Sequence, residues 1–143
     1  MKLVIDTNVL ISALIKDSRT REILLFHSME FLLPEYSLEE IARHKAKISR
    51  YCGLKEEEID VILSVLLENI SIVPFRAIKP HLEKAHEIIG HIDPKDVPFA
   101  ALVLSTENDG IWSNDRHFEK AVGIKVWKTI DLTRLFAERT ASQ

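Results

Sequence analysis

Short apolar runs alternate along the chain with longer stretches of helical spacing. Leu3-Val4-Ile5, Phe31-Leu32-Leu33, Ile72-Val73, Ile111-Trp112 and Lys125-Val126-Trp127 read as short strands. Between them, Val9–Ile15 and Arg21–Phe26 have the pattern of helices. Leu38, Ile41 and Ile48 mark a further helix that ends near Gly53. Ile59, Ile62, Leu63, Leu66, Leu67 and Ile70 recur at i, i+3, i+4, i+7, i+8 and i+11, with Glu56-Glu57-Glu58 at the amino end, where the helix dipole favours acids. Pro80–Ile89, Pro94–Ser105 and Ile130–Arg139 are the remaining helical segments. Strands and helices that alternate without tight hairpin signals imply crossover connections, hence a parallel sheet covered by helices on both faces. Ligands of such sheets bind beyond the carboxyl ends of the strands, where the strand order reverses. Acids that directly follow strands are therefore the ones of interest.

The chain has 143 residues, which predicts one domain over 1–143. It is 46% hydrophobic and 29% charged, with 4 Gly and 5 Pro, and this excludes a disordered or collagen-like chain. A lone cysteine, Cys52, excludes a disulfide framework and a Cys-x-x-Cys zinc site, and points to a reducing cytoplasm. Val61–Leu67 and Val97–Leu104 fall far short of the ~18 apolar residues of a membrane span. The expectation is a soluble cytoplasmic protein with no membrane partner. A net charge of −3 does not by itself suggest a nucleic-acid binder.

Four acids stand out, and each also has a purely local use. Asp6 follows the first strand and leads into Thr7-Asn8, a run of capping residues. Ser37-Leu38-Glu39-Glu40 fits a capping box with Ser37 as N-cap and Glu40 three residues on, and Glu39 competes with Glu40 for a functional role. Asp93-Pro94-Lys95-Asp96 reads as an N-cap, a proline at the first helical position and a first-turn acid. Asp115 follows Ile111-Trp112-Ser113-Asn114 as a turn or helix start. All four lie at a strand end or in a first helical turn. Like charges ~4 Å apart repel by about 4 kcal/mol at an effective dielectric of 20, so gathering them calls for protons or a cation. All-oxygen donors point to Mg²⁺ or Mn²⁺ rather than zinc.

Several other features are read as structural. His27, His44, His81, His86, His91 and His117 form no convincing metal set, since the five-residue spacing of three of them does not hold one helical face. His117, beside Asp115, is the one placed to touch a phosphate. Cys52 reads as a helix-end residue, and Trp112 and Trp127 as core. Val61 and Val65 widen the apolar surface of the Ile59–Ile70 helix, which serves the core or a homodimer contact. At 100° per residue, Arg43, Lys47 and Arg50 lie within about 80° of Glu40, with His44 beside them. This basic stripe is either a solvated face or an RNA path, with Lys16, Arg19, Arg21 and Arg116 as further cations.

Leu3-Val4-Ile5-Asp6-Thr7-Asn8-Val9-Leu10, Ser37-Leu38-Glu39-Glu40-Ile41, Asp93-Pro94-Lys95-Asp96-Val97-Pro98-Phe99-Ala100-Ala101-Leu102 and Ile111-Trp112-Ser113-Asn114-Asp115-Arg116-His117-Phe118 occur in an order that resembles the PIN domain family, a metal-dependent ribonuclease fold that includes VapC-like toxins. The resemblance runs from Met1 to about Leu135. It implies a three-layer α/β/α sandwich around a five-stranded parallel sheet of order 3-2-1-4-5, with Asp6 and Asp115 on adjacent strands. It favours Glu40 over Glu39. It implies Asp6, Glu40, Asp96 and Asp115 as catalytic metal ligands for Mg²⁺ or Mn²⁺. Thr7, Asn8, Asp93, Ser113 and Asn114 would support them, and Arg43, Lys47, Arg50 and Arg116 would contact RNA. The implied activity is an endoribonuclease that cleaves phosphodiester bonds by metal-activated water and leaves 5′-phosphate and 3′-hydroxyl ends. The implied setting is the toxin of a toxin–antitoxin pair, with an antitoxin protein as partner, or RNA processing. Many relatives carry a further acid two positions after the fourth, where this chain has His117, which leaves four. A non-catalytic PIN-like or receiver-like binding module is the alternative. A receiver's acid pair and an Asp-x-Asp phosphatase are both excluded by Asn8.

Overall fold

The computed structural model describes residues 1–15, 18–26 and 28–141, so Lys16 and His27 lie outside the described residues. Five strands, β1 (Lys2–Ile5), β2 (Glu30–Pro34), β3 (Ile70–Val73), β4 (Ile111–Trp112) and β5 (Val126–Trp127), form one sheet of order β3-β2-β1-β4-β5. All pairings are parallel, with Val4 opposite Leu32 on one side and Ile111 on the other. Leu3, Val4 and Ile5 are each fully buried. Consecutive apolar residues occur there because both faces of a central parallel strand are covered.

Helices α1 (Thr7–Ile15), α2 (Ser18–Leu24), α3 (Tyr36–Cys52) and α4 (Glu56–Leu67) make one layer, in which α1 packs on α2, α3 and α4. Helices α5 (Phe75–Ile78), α6 (Leu82–Ala85) and α7 (Val97–Ser105) make the other, with α7 against β1 and β2. A short α8 (Arg116–Glu119) connects β4 to β5, and α9 (Thr129–Ala141) follows. Phe31 and Trp112, on the strands that flank β1, meet with their rings tilted at 45° and 5.8 Å between centroids. Trp112 is wholly buried, and its truncation to Ala would cost about 3–5 kcal/mol. Gly53 ends α3 in the left-handed conformation, φ 73°, and its N–H bonds to Ser49 O. Gly110 (φ 121°) leads into β4 where a Cβ would stand 2.3 Å from the Lys125 carbonyl oxygen, so the two segments approach only because the side chain is missing.

Four sequence expectations change. Ile70 belongs to β3 and pairs with Phe31, rather than ending the preceding helix. An apolar residue at that position satisfies the helical period and a buried strand equally well. The expected Arg21–Phe26 helix is shifted to Ser18–Leu24, and Arg21 donates to the carbonyls of Ala13 and Leu14 at the end of α1. The expected Pro80–Ile89 helix is broken. A 3₁₀ turn at Lys79–His81, the single turn α6 and a π-turn at His86–Gly90 follow one another. Pro80 sits in the first turn, where its missing N–H is tolerated, and a Cβ on Gly90 would lie 2.5 Å from the His86 ring, so the wider last turn closes on a residue without a side chain. The fourth change is the capping box. Ser37 lies inside α3, fully buried, and Glu35 occupies the N-cap position without capping the helix, its carboxylate accepting instead from the Phe75 N–H at 2.7 Å. Ser37 is drawn inward by a partner thirty residues earlier in the chain, Thr7.

Candidate metal centre

Strands β1, β2 and β3 succeed one another in one direction from the centre, and β4 and β5 in the other. The order therefore reverses between β1 and β4, and Asp6 and Asp115 follow those two strands. Asp6 is 4% exposed and leaves β1 with its N–H on the Trp112 carbonyl, 3.1 Å. Its Oδ2 accepts from Ser113 Oγ at 2.8 Å, and its Oδ1 accepts weakly from the Asn8 N–H at 3.4 Å. Ser113 Oγ in turn accepts from the Asp115 N–H at 3.0 Å, so one hydroxyl couples the ends of β1 and β4. Burial pushes the Asp6 carboxyl above its ordinary range. Its Ser113 and Asn8 bonds pull it down, and the charges of Asp115 and Glu40 push it up again.

Glu40 reaches the site from the first turns of α3. Its Oε1 accepts from Thr7 Oγ1 at 2.8 Å, and Thr7 Oγ1 lies 2.8 Å from Ser37 Oγ. A hydroxyl has one proton, and a carboxylate only accepts. Thr7 therefore donates to Glu40 and Ser37 donates to Thr7. Glu39 points elsewhere, lining a cleft with Pro34, Tyr36, Phe75 and Pro98.

Asp93 caps the 3₁₀ turn Pro94–Asp96 by accepting from the Lys95 N–H at 2.9 Å, as its sequence context predicts. That turn delivers Asp96, 7% exposed, to the head of α7. Burial raises the Asp96 carboxyl to about 7, the charges of Asp93, Asp6 and Asp115 add to the rise, and a bond to His117 opposes it. Asp115 caps α8 by accepting from the His117 N–H at 2.9 Å. Asn114 serves a different purpose: its side chain bonds Thr129 at 2.9 and 3.0 Å, tying the loop after β4 to α9.

His117 is the residue whose place in the cluster sequence reasoning did not foresee. Its Nδ1 lies 3.2 Å from Asp96 Oδ2, 3.3 Å from Asp115 Oδ1 and 3.4 Å from Asp93 Oδ2. The available signal was its position two residues beyond Asp115, where PIN relatives carry an acid. Asp93, taken from sequence as a supporting cap, also belongs to this group. Asp93, Asp96 and His117 each offer a donor atom within 4.8 Å of the others. The other histidines among the described residues stand apart from it; His44, for example, lines an α1–α3 groove with Lys47, Ile11, Ile15, Ile48 and Tyr51.

The donor chemistry fits a divalent cation: hard carboxylate oxygens with one imidazole nitrogen, gathered so closely that Asp96 and Asp6 are both held above the ordinary carboxyl range. The basic residues of α3 stay at the surface. Arg43, Lys47 and Arg50 are exposed, and the Arg43 guanidinium sits 5.7 Å from the Tyr36 ring centroid. Arg116, in the first turn of α8, is exposed as well.

A parallel α/β sheet of order 3-2-1-4-5 with an acidic cluster at its switch point defines a class of protein, and family comparison specifies it further. The family model described as "PIN domain" matches residues 4–136, and the chain belongs to the PIN domain family, whose members are typically nucleases. Among solved structures, a chain of VapBC2 from Rickettsia felis, crystallised bound to a DNA fragment from their promoter, superposes with a TM-score of 0.70. It is 17% identical and the match covers 90% of this chain and 98% of that one, so the likeness is one of fold. No curated protein matches the sequence. Among the described residues, no helix is long and apolar enough to cross a membrane.

Proposed function

We propose that residues 1–143 form one endoribonuclease domain dependent on Mg²⁺ or Mn²⁺, with Asp6, Glu40, Asp96 and Asp115 holding the metal directly or through water. The observation that carries this reading is the gathering of Asp6, Asp96 and Asp115 just beyond the ends of the paired strands β1 and β4, with Asp96 raised to about 7 chiefly by burial and then by its acidic neighbours. When bound, the ion supplies Lewis-acid stabilisation of the phosphate and makes water acidic enough to serve as nucleophile. The chain supplies the rest. Ser113 orients Asp6, Thr7 orients Glu40, the Asn8 backbone steadies Asp6, and Asp93 and Asp115 anchor the two turns that carry Asp96 and His117. Asn114 holds the Asp115 loop against α9. Arg43, Lys47, Arg50 and Arg116 receive the phosphates of RNA.

The likeness in fold to a VapBC2 chain supports a role as the toxin of a toxin–antitoxin pair, with an antitoxin protein covering the site. The lone cysteine supports action in the cytoplasm. On α4, Val61 and Val65, 63% and 43% exposed, offer a face to a second copy. The decisive experiment is cleavage of RNA by purified protein with Mg²⁺ or Mn²⁺, reading 5′-phosphate ends. Asp6→Asn and Asp96→Asn should each lower the rate at least about 100-fold while the circular dichroism spectrum is kept. RNA that is bound but left intact by the metal-loaded protein would establish the non-catalytic module instead.

A further inference from the structure

The metal-dependent reading above assigns no task to an imidazole, yet Nδ1 of His117 is the atom on which three carboxylates converge, at 3.2, 3.3 and 3.4 Å. Neighbouring donors on an octahedral ion with bonds of about 2.0–2.1 Å stand √2 times that distance apart, about 2.8–3.0 Å. The observed separations are slightly wider than such an edge. The ring is also held in place by its backbone. The His117 N–H bonds the Asp115 carboxylate at 2.9 Å, and Asp115 in turn receives no freedom from β4, because its own N–H is fixed to Ser113 Oγ. The imidazole thus approaches the acids through Nδ1 on a short, constrained turn, with its side chain 38% exposed.

Resting on the metal-dependent reading, we infer that His117 donates Nδ1 as a nitrogen ligand to the divalent ion that Asp96 holds, with the Asp93 carboxylate beside it, and that this tilts the site from Mg²⁺ toward first-row transition ions such as Mn²⁺. Mg²⁺ prefers oxygen donors and gives up its waters reluctantly. Imidazole suits transition ions better than Mg²⁺, and the affinity of a mixed nitrogen and oxygen site rises from Mn²⁺ to Cu²⁺. A ligating Nδ1 is neutral and carries its proton on Nε2. An acid at the same position would make an all-oxygen site, so His117→Asp is the informative exchange.

Mn²⁺ is the probe, because its binding is read by electron paramagnetic resonance without any RNA. Electron spin-echo modulation of the Mn²⁺-loaded wild type should show a directly bound ¹⁴N, and His117→Asp should lack it. Mg²⁺ should displace Mn²⁺ from His117→Asp at roughly tenfold lower concentration than from the wild type, relative to the Mn²⁺ affinity of each. Mn²⁺ bound with no ¹⁴N modulation in the wild type overturns this inference and leaves the endoribonuclease reading standing; His117 is then a hydrogen-bond donor to the acids. No Mn²⁺ bound at all overturns both. The wild-type spectrum decides the ligand even if the variant does not fold, and Asp96→Asn, which should lose most Mn²⁺ binding, shows that the signal comes from this site.

Discussion

Thr7 Oγ1 donates to Glu40 Oε1 at 2.8 Å and receives the proton of the fully buried Ser37. This relay of three side chains joins the start of α1 to α3 and aims Glu40 toward Asp6, whose carboxyl responds to the Glu40 charge. Thr7→Val keeps the shape but removes both roles of the hydroxyl. It should cost about 1–3 kcal/mol, because Ser37 is left as a buried polar group without its acceptor. Thr7→Ser should restore most of that loss. Urea denaturation of the three proteins measures it, and a Thr7→Val protein as stable as wild type would show that the relay contributes nothing to stability.

Metal-free stability should depend on pH through Asp96. Its ordinary value is 3.8, and in the folded protein it is about 7. Between those values the folded state keeps a proton that the unfolded chain has lost. Stability from this group is therefore fully present below the unfolded value and is lost as pH rises through the folded one, at no more than about 1.4 kcal/mol per pH unit for one proton. Asp6, also raised, acts in the same direction. Asp96→Asn should gain on the wild type as pH rises toward 7 in the presence of a chelator. If the stability difference between the two proteins is flat across that window, the burial and repulsion assigned to Asp96 are wrong.

Asp115→Asn isolates repulsion from capping. Asn caps a helix about as well as Asp, so the bond to the His117 N–H survives, while one of the charges that raise Asp6 and Asp96 is removed. Without metal the exchange should be neutral or stabilising by up to about 1 kcal/mol. Added Mg²⁺ or Mn²⁺ should raise the melting temperature of the wild type more than that of the variant, since an ion that binds only the native state stabilises it by mass action. Equal shifts in both proteins would remove Asp115 from the site.

Much of this arrangement is legible in the chain because it is local. Leu3-Val4-Ile5 is continuously apolar because β1 is covered on both faces, and Asp6 directly follows it. Asp93 and Asp115 have the sequence contexts of helix caps and act as such. The strand order came from the family resemblance, since no periodicity states which strands are neighbours. What the chain does not reveal depends on partners distant in sequence. Ser37 has the context of an N-cap, but its hydroxyl is used by Thr7 on another element. His117 reads as an isolated histidine until the fold brings Asp93 and Asp96, more than twenty residues earlier, against it. Ile70 satisfies two periods at once, and only its pairing with Phe31 decides between them.

The path of the RNA strand is expected along α3. Arg43, Lys47 and Arg50 are exposed on the helix that turns Glu40 into the site, while Ile41 and Ile48, about a quarter-turn away, are buried. The cations therefore need not be drawn into the core, and they lead away from the acids along one helix. This also answers the objection from net charge: a protein of −3 that holds one divalent ion is at −1, with its cations concentrated on the approach. Phosphate contacts set affinity with little sequence information, and each adds to the salt dependence. Arg43→Glu with Lys47→Glu, in the Asp96→Asn background so that RNA stays intact, should weaken unrelated RNAs alike and flatten the slope of affinity against salt by about 2. Mn²⁺ affinity, compared with and without the two charge reversals in the otherwise wild-type protein, should change less than RNA affinity. Unchanged RNA affinity and slope would move the path to Arg19 or Arg116; Arg21 is already engaged with the carbonyl end of α1.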